Sequence, residues 1–224
     1  MASPSLPFRK IVDLSVPLKS QGTSVYPGYP MPIRSTLTTI RDDGYYSNLW
    51  TLVEHSGTHV DSPGHFLAGA PTIDKTPLET YIGRGVVLDF EGRRPNYSIT
   101  RKDVESALQS RGLKGKIGHG WILLFHTGYT KKAGTKKWLE HPELSEEACR
   151  YIAGLRVNAI GFDAPGPDHS PFPAHKILLP KGIAILEGLN NLDKVADKDF
   201  VFVGTPLPLV EGSASPIRAF AMIP

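Results

Sequence analysis

A β-rich α/β fold in one domain is expected of this 224-residue chain, and three observations lead there. Eight short β-branched or apolar runs of strand length recur from end to end, most of them bounded by Gly, Pro or Asp. Only two segments carry helix signals. No repeat, low-complexity tract or linker divides the chain, and its 20 prolines are spread over loops. The length is within reach of α/β and all-β folds as one unit, so residues 1–224 are read as a single domain.

In chain order, KIVDLSV, RSTLTTI and GVVLDF read as strands. The first helix follows in TRKDVESALQSRG. Thr100 can cap it with Asp103 three residues on, Val104 and Leu108 share a face, and Gly112 stops it. GWILLFH is the next strand. LSEEACRYIAGLR is the second helix: Ser145 caps it, Glu146 and Glu147 sit at the positive end of its dipole, and Gly154 loosens its far end. VNAIGFD, GIAILEG, DFVFVG and PIRAFAMI complete the strands.

Composition narrows the function classes. Hydrophobic residues make up 40% and charged residues 21%, as in ordinary globular proteins. Against 22 Asp and Glu stand 25 Lys and Arg, a balance of only +3. The basic pairs Arg93-Arg94, Lys131-Lys132 and Lys136-Lys137 are scattered, whereas a nucleic-acid footprint needs a denser stripe. No nucleic-acid partner is expected. Cys149, the lone cysteine, excludes an internal disulfide and a thiolate metal cluster, and it reads as a small buried hydrophobe. The opening MASPSLPFRK has no apolar signal core, and no run approaches the roughly 18 apolar residues of a membrane span. A soluble, cytoplasmic protein acting on a small molecule is the expectation.

The stretch EHSGTHVDSPGHF concentrates three of the eight histidines and an aspartate: His55, His59, Asp61 and His65. The spacing of His55 and His59 would align them on a helix. Gly57 and Thr58 are poor helix formers, however, while Pro63 pushes Ser62 toward extended geometry. A loop or a single irregular turn is expected. Such a loop can close around a point, and imidazole nitrogens and carboxylate oxygens are donors that borderline divalent metals accept. One histidine beside a Gly-rich turn would be read as solvated; the density of the set argues for a metal-binding loop.

This run resembles the H-x-G-T-H-x-D-x-P-x-H signature of the cyclase family of metal-dependent hydrolases, which includes bacterial kynurenine formamidase and isatin hydrolase. The resemblance extends to DLSVPL, VYPG, PFPAHKILL, GIAILEGL, NLDKV and GSASPIRAFAMI, nearly the whole chain. It implies a swivelling β/β/α fold, homodimers or homotetramers with active sites near subunit contacts, and hydrolysis of an amide, formamide or lactam C–N bond. In the formamidases the counterparts of His55, His59 and Asp61 hold one metal, and that of Asp61 bridges to a second. The resemblance assigns the second ion to His175 and Glu187. Pro27-Gly28-Tyr29 stands where formamidases commonly have Pro-Gly-Asp. EHSGTH and PFPAH are closer to isatin hydrolase, which resembles a single-metal enzyme, while Glu187 matches the formamidases. One or two divalent ions, zinc or manganese, are therefore expected.

A metal-activated water makes a serine or cysteine nucleophile unnecessary. His65, four residues past Asp61, is the candidate proton shuttle to the leaving nitrogen, because an imidazole titrates near working pH. A lactam, cyclic imide or lactone hydrolase is the alternative within the family. A catalytically silent metal or ligand-binding module is the alternative of another class, although structural zinc sites are usually closed and cysteine-rich. Among secondary candidates, Asp163 and Asp168 in GFDAPGPDH would orient a ligand imidazole or merely form a turn. His126 would face the pocket, His169 would be solvated, and His119 and His141 would lie on the surface. Arg218 would anchor a C-terminal strand through a buried ion pair. Tyr26, Tyr29, Trp50 and Phe172 would form an aromatic wall or pack in the core.

Overall fold

The computed structural model describes residues 8–224, so the expectation for the segment before Phe8 lies outside the described residues. The chain enters as β1 (Lys10–Asp13), then forms β2 (Ile33–Thr38), a single-turn α1 (Ile40–Asp43) and β3 (Ser47–Thr51). Next come β4 (His59–Asp61), β5 (Ile82–Asp89), β6 (Ser98–Ile99), α2 (Arg101–Ser110) and β7 (Trp121–His126). β8 (Glu143–Leu144), α3 (Glu146–Leu155), β9 (Ala159–Phe162), α4 (Pro173–Leu178) and β10 (Ala184–Glu187) follow. The chain closes with β11 (Phe200–Val203), β12 (Ala214–Pro216) and β13 (Phe220–Ile223).

Nine strands form one mixed sheet in the order β1-β13-β11-β5-β7-β9-β10-β4-β12. β5, β7, β9 and β10 run parallel at its centre, and every other pairing is antiparallel. Side chains alternate between faces along each strand. Val86, Leu88, Leu123, Phe125, Ile160 and Ile185 bury one face against Val104 and Leu108 of α2, Ile152 of α3 and Leu178 of α4. Val87, Leu124, Leu186 and Val60 bury the other face with Leu14, Tyr81 and Phe202. Cys149 is fully buried in the first cluster, and burial pushes its thiol up to about 12. Among the described residues no helix is long and apolar enough to cross a membrane.

All eight expected strands form, and so do both helices. Thr100 and Asp103 make a reciprocal capping box, and Ser145 accepts from the amide of Ala148. α3 runs through Gly154 and stops at Arg156, whose φ is 58°. β3, β4, β12 and the short α4 were not signalled by local pattern. Arg218 does pair with Asp13, at 2.7 Å, but the pair is exposed, with side chains 76% and 44% accessible, so the expected buried ion pair is corrected. Leaving both charges in water avoids the desolvation cost that burial would impose.

Candidate metal centre

The signature does not remain a loop. His59–Asp61 is the eighth strand of the sheet, paired on one side with β10 and on the other with β12. Pairing on both sides supplies the backbone hydrogen bonds, and Val60 is buried in the core, so tertiary contact overrides weak local propensity. The period of two then sends His59 and Asp61 to the opposite face from Val60. Glu187, the last residue of β10, is the direct cross-strand partner of His59. His175 follows a Pro-rich stretch and lies in α4, started by Pro173, where its imidazole descends over the same end of the sheet. The cluster thus sits where the parallel strand β10 ends beside the antiparallel β4, a place where open α/β sheets form crevices.

The donors converge within ion-pair reach, with no well-formed hydrogen bond between them. His55 Nδ1 lies 2.9 Å from Asp61 Oδ1, and His59 Nε2 lies 3.6 Å from Asp61 Oδ1 and 3.3 Å from Glu187 Oε2. His175 Nε2 lies 3.5 Å from Asp61 Oδ2 and 3.3 Å from Glu187 Oε1. Asp61 is 1% exposed, yet both its carboxylate oxygens, and Nε2 of His59, are buried without a hydrogen-bond partner. A buried, unsatisfied carboxylate is strongly unfavourable unless a cation faces it. Ligands about 2.0–2.1 Å from a tetrahedral ion stand about 3.3 Å apart, close to four of the five separations. The residues fit a divalent metal.

The atoms fall into two groups that share Asp61: His55, Asp61 and His65, and His59, Asp61 and Glu187. The structure therefore sets His65 among the donors, whereas the resemblance joins His55 to His59. Hydrogen bonds hold the imidazoles by their far nitrogens. His59 Nδ1 donates to the Gly57 carbonyl at 3.0 Å, and His175 Nδ1 donates to Asp168 Oδ1 at 2.8 Å. Asp168 takes the expected orienting role and also accepts from the Ala174 amide. Among the described residues no hydrogen bond holds the His65 ring, which lies 4.2 Å from the His55 ring, centroid to centroid.

Charge in this cluster is shared between acids and imidazoles. Burial opposes ionisation of His59, but the Glu187 and Asp61 carboxylates beside it outweigh burial and push its imidazole up to about 9. His175 goes well above its ordinary value against burial, through Asp168, Asp61 and Glu187. Burial would raise the Asp61 carboxyl, yet the His175 and His55 imidazoles hold it well below the usual range. His65 is lowered, by burial first.

These groups form the floor of a pocket of about 250 Å³. Tyr26, Tyr29 and Phe172 line it as expected, joined by Phe66 and Trp138, which local pattern did not reveal. Phe66 stacks on His175 at 4.7 Å. Phe172 adopts φ 61°, a strained choice for a bulky residue that sets its ring against Phe66 at 5.7 Å. Trp50 is instead 38% exposed on β3, outside the pocket.

Four further expectations are corrected. His126 does not line the pocket; its strand position pairs with Asp89, and Nδ1 meets Asp89 Oδ1 at 2.9 Å. Asp163 orients no ligand imidazole, because it accepts from the amides of Thr127 and Gly128 and from the Thr127 hydroxyl. His169 is half-buried, held between Glu143 Oε2 at 2.8 Å and the Leu139 carbonyl at 2.9 Å. His141 is 1% exposed and stacks on His169 at 4.1 Å. His119 is exposed, as expected.

Residues 12–169 match the family model described as "Putative cyclase". A kynurenine formamidase from Salinibacter ruber (strain DSM 13855 / M31) is 30% identical over 222 residues, covering 93% of this chain and 95% of its own. The crystal structure of an isatin hydrolase bound to the product analogue thioisatinate aligns with a TM-score of 0.86 at 25% identity, over 96% of this chain and 92% of that one. A solved structure described as a potential metal-dependent hydrolase with cyclase activity aligns at 0.77 and 28% identity, over 96% and 98%. With a family match spanning well over half of its residues and the same architecture in solved relatives, the chain belongs to the cyclase family and is a hydrolase.

Proposed function

We propose that this hydrolase cleaves the C–N bond of an aryl amide or lactam, with an arylformamide such as N-formylkynurenine as the leading substrate. An isatin-type lactam, a cyclic imide or a lactone is the alternative. One observation carries the reading: a fully buried Asp61 carboxylate, with neither oxygen hydrogen-bonded, faces imidazoles and Glu187 on the floor of an aromatic pocket. The relatives named above act in the same class of chemistry.

His55, His59, Asp61, His175 and Glu187 would hold the metal, zinc or manganese, as one ion or two. When bound it acts as a Lewis acid on the carbonyl and lowers the pKa of a water from about 15.7 toward 7. The chain's own residues do the rest. Asp168 and the Gly57 carbonyl keep the imidazoles of His175 and His59 turned with Nε2 inward. His65, with no hydrogen bond to hold its ring and a preference for the neutral form, is placed to take a proton from water and deliver it to the leaving nitrogen. Tyr26, Phe66, Trp138 and Phe172 hold an aryl group and exclude water from the floor.

The same reading covers assembly and location. Among the described residues the β2–β3 hairpin pairs only with itself, and it exposes Leu37 at 62%, Ile40 at 73% and Leu49 at 52%. An isolated two-stranded hairpin is marginal in water, and this arm would be covered in a homodimer or homotetramer. The single buried cysteine suits the reducing cytoplasm.

The test is initial hydrolysis rates of zinc- and manganese-loaded protein on N-formylkynurenine, isatin, a cyclic imide and a lactone. Metal-dependent turnover of one of them at a kcat/KM of about 10⁴ M⁻¹s⁻¹ or more supports the reading and chooses the branch. Full metal occupancy without turnover of any of the four would sink it in favour of a silent binding module.

A further inference from the structure

Each ligand imidazole needs its outward nitrogen fixed if the inward one is to present a lone pair. For His59 and His175 the fixing acceptors are the Gly57 carbonyl and the Asp168 carboxylate, and both rings face the cluster with Nε2. His55 is turned the other way: Nδ1 faces Asp61 and Nε2 meets the Ser213 hydroxyl at 3.2 Å. A hydroxyl can donate or accept, so this contact alone leaves the His55 tautomer open.

Glu54 removes the ambiguity. Its Oε2 accepts from the Ser213 hydroxyl at 2.7 Å, from the Ser213 amide at 2.9 Å and from the Ala214 amide at 3.2 Å. A carboxylate has no proton to give, so the single Ser213 proton points at Glu54 and the hydroxyl lone pairs remain for His55. Nε2 of His55 then has to be the donor. Ser213 is itself anchored, because its carbonyl accepts from the amide and the hydroxyl of Ser62, next to Asp61. The two halves of the relay are 159 residues apart in the chain and meet beside the pairing of β4 with β12.

We propose that Glu54, acting through the Ser213 hydroxyl, is the positioning residue that fixes His55 as the Nε2–H tautomer and commits its Nδ1 lone pair to the metal. The inference rests on reading the cluster as a metal centre. It adds Glu54 and Ser213 to the machinery and divides the ligand imidazoles into two that bind through Nε2 and one that binds through Nδ1.

The test compares the parent, Ser213→Ala, Ser213→Thr and Glu54→Gln. Zinc affinity is measured by chelator competition, and long-range ¹H–¹⁵N correlation spectra of the zinc-loaded proteins report which His55 nitrogen carries the proton. The parent should show Nε2–H for His55. Ser213→Ala should weaken zinc binding about 10- to 100-fold, as loss of an outer hydrogen-bond partner does, and disturb the His55 pattern alone. Ser213→Thr, which restores the hydroxyl, should recover both, and Glu54→Gln should weaken zinc in the same direction. Ser213→Ala with parental affinity and an unchanged His55 pattern would overturn the proposal, as would a loss that Ser213→Thr does not recover. A parent that takes up no zinc would remove the metal centre itself, an outcome distinct from failure of the relay.

Discussion

Acidification should drive the metal out of this site by proton competition, and the size of the effect can be worked from His59. In the metal-free cluster its imidazole is pushed from 6.5 up to about 9, against burial, by Glu187 and Asp61. A ligating imidazole must be neutral, so each ion bound at pH 7 has to displace that proton. Two pH units below the pKa, the apparent affinity is about 100-fold under its alkaline limit, and it climbs about tenfold per unit in between from this residue alone. His175, raised as well, adds to the slope in the same sense. The fold responds with the opposite sign in the metal-free protein. A raised histidine stabilises below its unfolded value of 6.5, and that contribution is lost as pH rises through about 9. The assay is zinc titration calorimetry in buffers of different ionisation enthalpy, which counts protons released, with chelator competition from about pH 6.5 to about 8.5. An affinity flat across that range, with no proton release, would refute the reasoning.

Replacing His59 by Ala should empty the site of metal, whereas His65→Ala should retain the metal and lose about 10²- to 10⁴-fold in kcat; metal content and turnover on the same samples separate the two roles. Gly188, at φ +62°, has its missing Cβ position 2.6 Å from the Gly57 carbonyl oxygen that holds His59. Gly188→Ala should therefore cost at least about 1–2 kcal/mol for the backbone conformation alone and weaken metal binding, and unchanged denaturation and affinity would refute this. Burial, with a smaller contribution from His169, pushes His141 down to about 4. Stability should fall as pH drops from 6.5 toward 4 by up to about 3 kcal/mol from this group; His141→Gln should flatten that part of the denaturation profile relative to the parent.

Much of the architecture was legible because it is written locally. Short β-branched or apolar runs marked the eight strands, and Thr100–Asp103 and Ser145 marked helix starts, since capping needs only residues within one turn. The crowding of His55, His59, Asp61 and His65 disclosed a metal-binding stretch for the same reason. β4 escaped because His59–Asp61 carries no strand pattern of its own; partners from β10 and β12 make it a strand. His141 and His169 were misjudged because their two segments meet only in the fold: His169 stacks on His141 and is tethered to Glu143 and Leu139, 26 and 30 residues earlier in the chain.

The amino-acid order by itself determined the family, the β-rich α/β class and the identity of the donors, because strand patterning, capping and signature density are properties of short stretches. Tertiary structure alone decided which donor faces which. The cross-strand register of His59 with Glu187 and the Glu54–Ser213 hold on His55 join residues remote in the chain, and the turn of His175 onto Asp168, seven residues away, follows from how α4 leaves its loop. Lone-pair direction is fixed by hydrogen bonds across those contacts, and no local pattern encodes them.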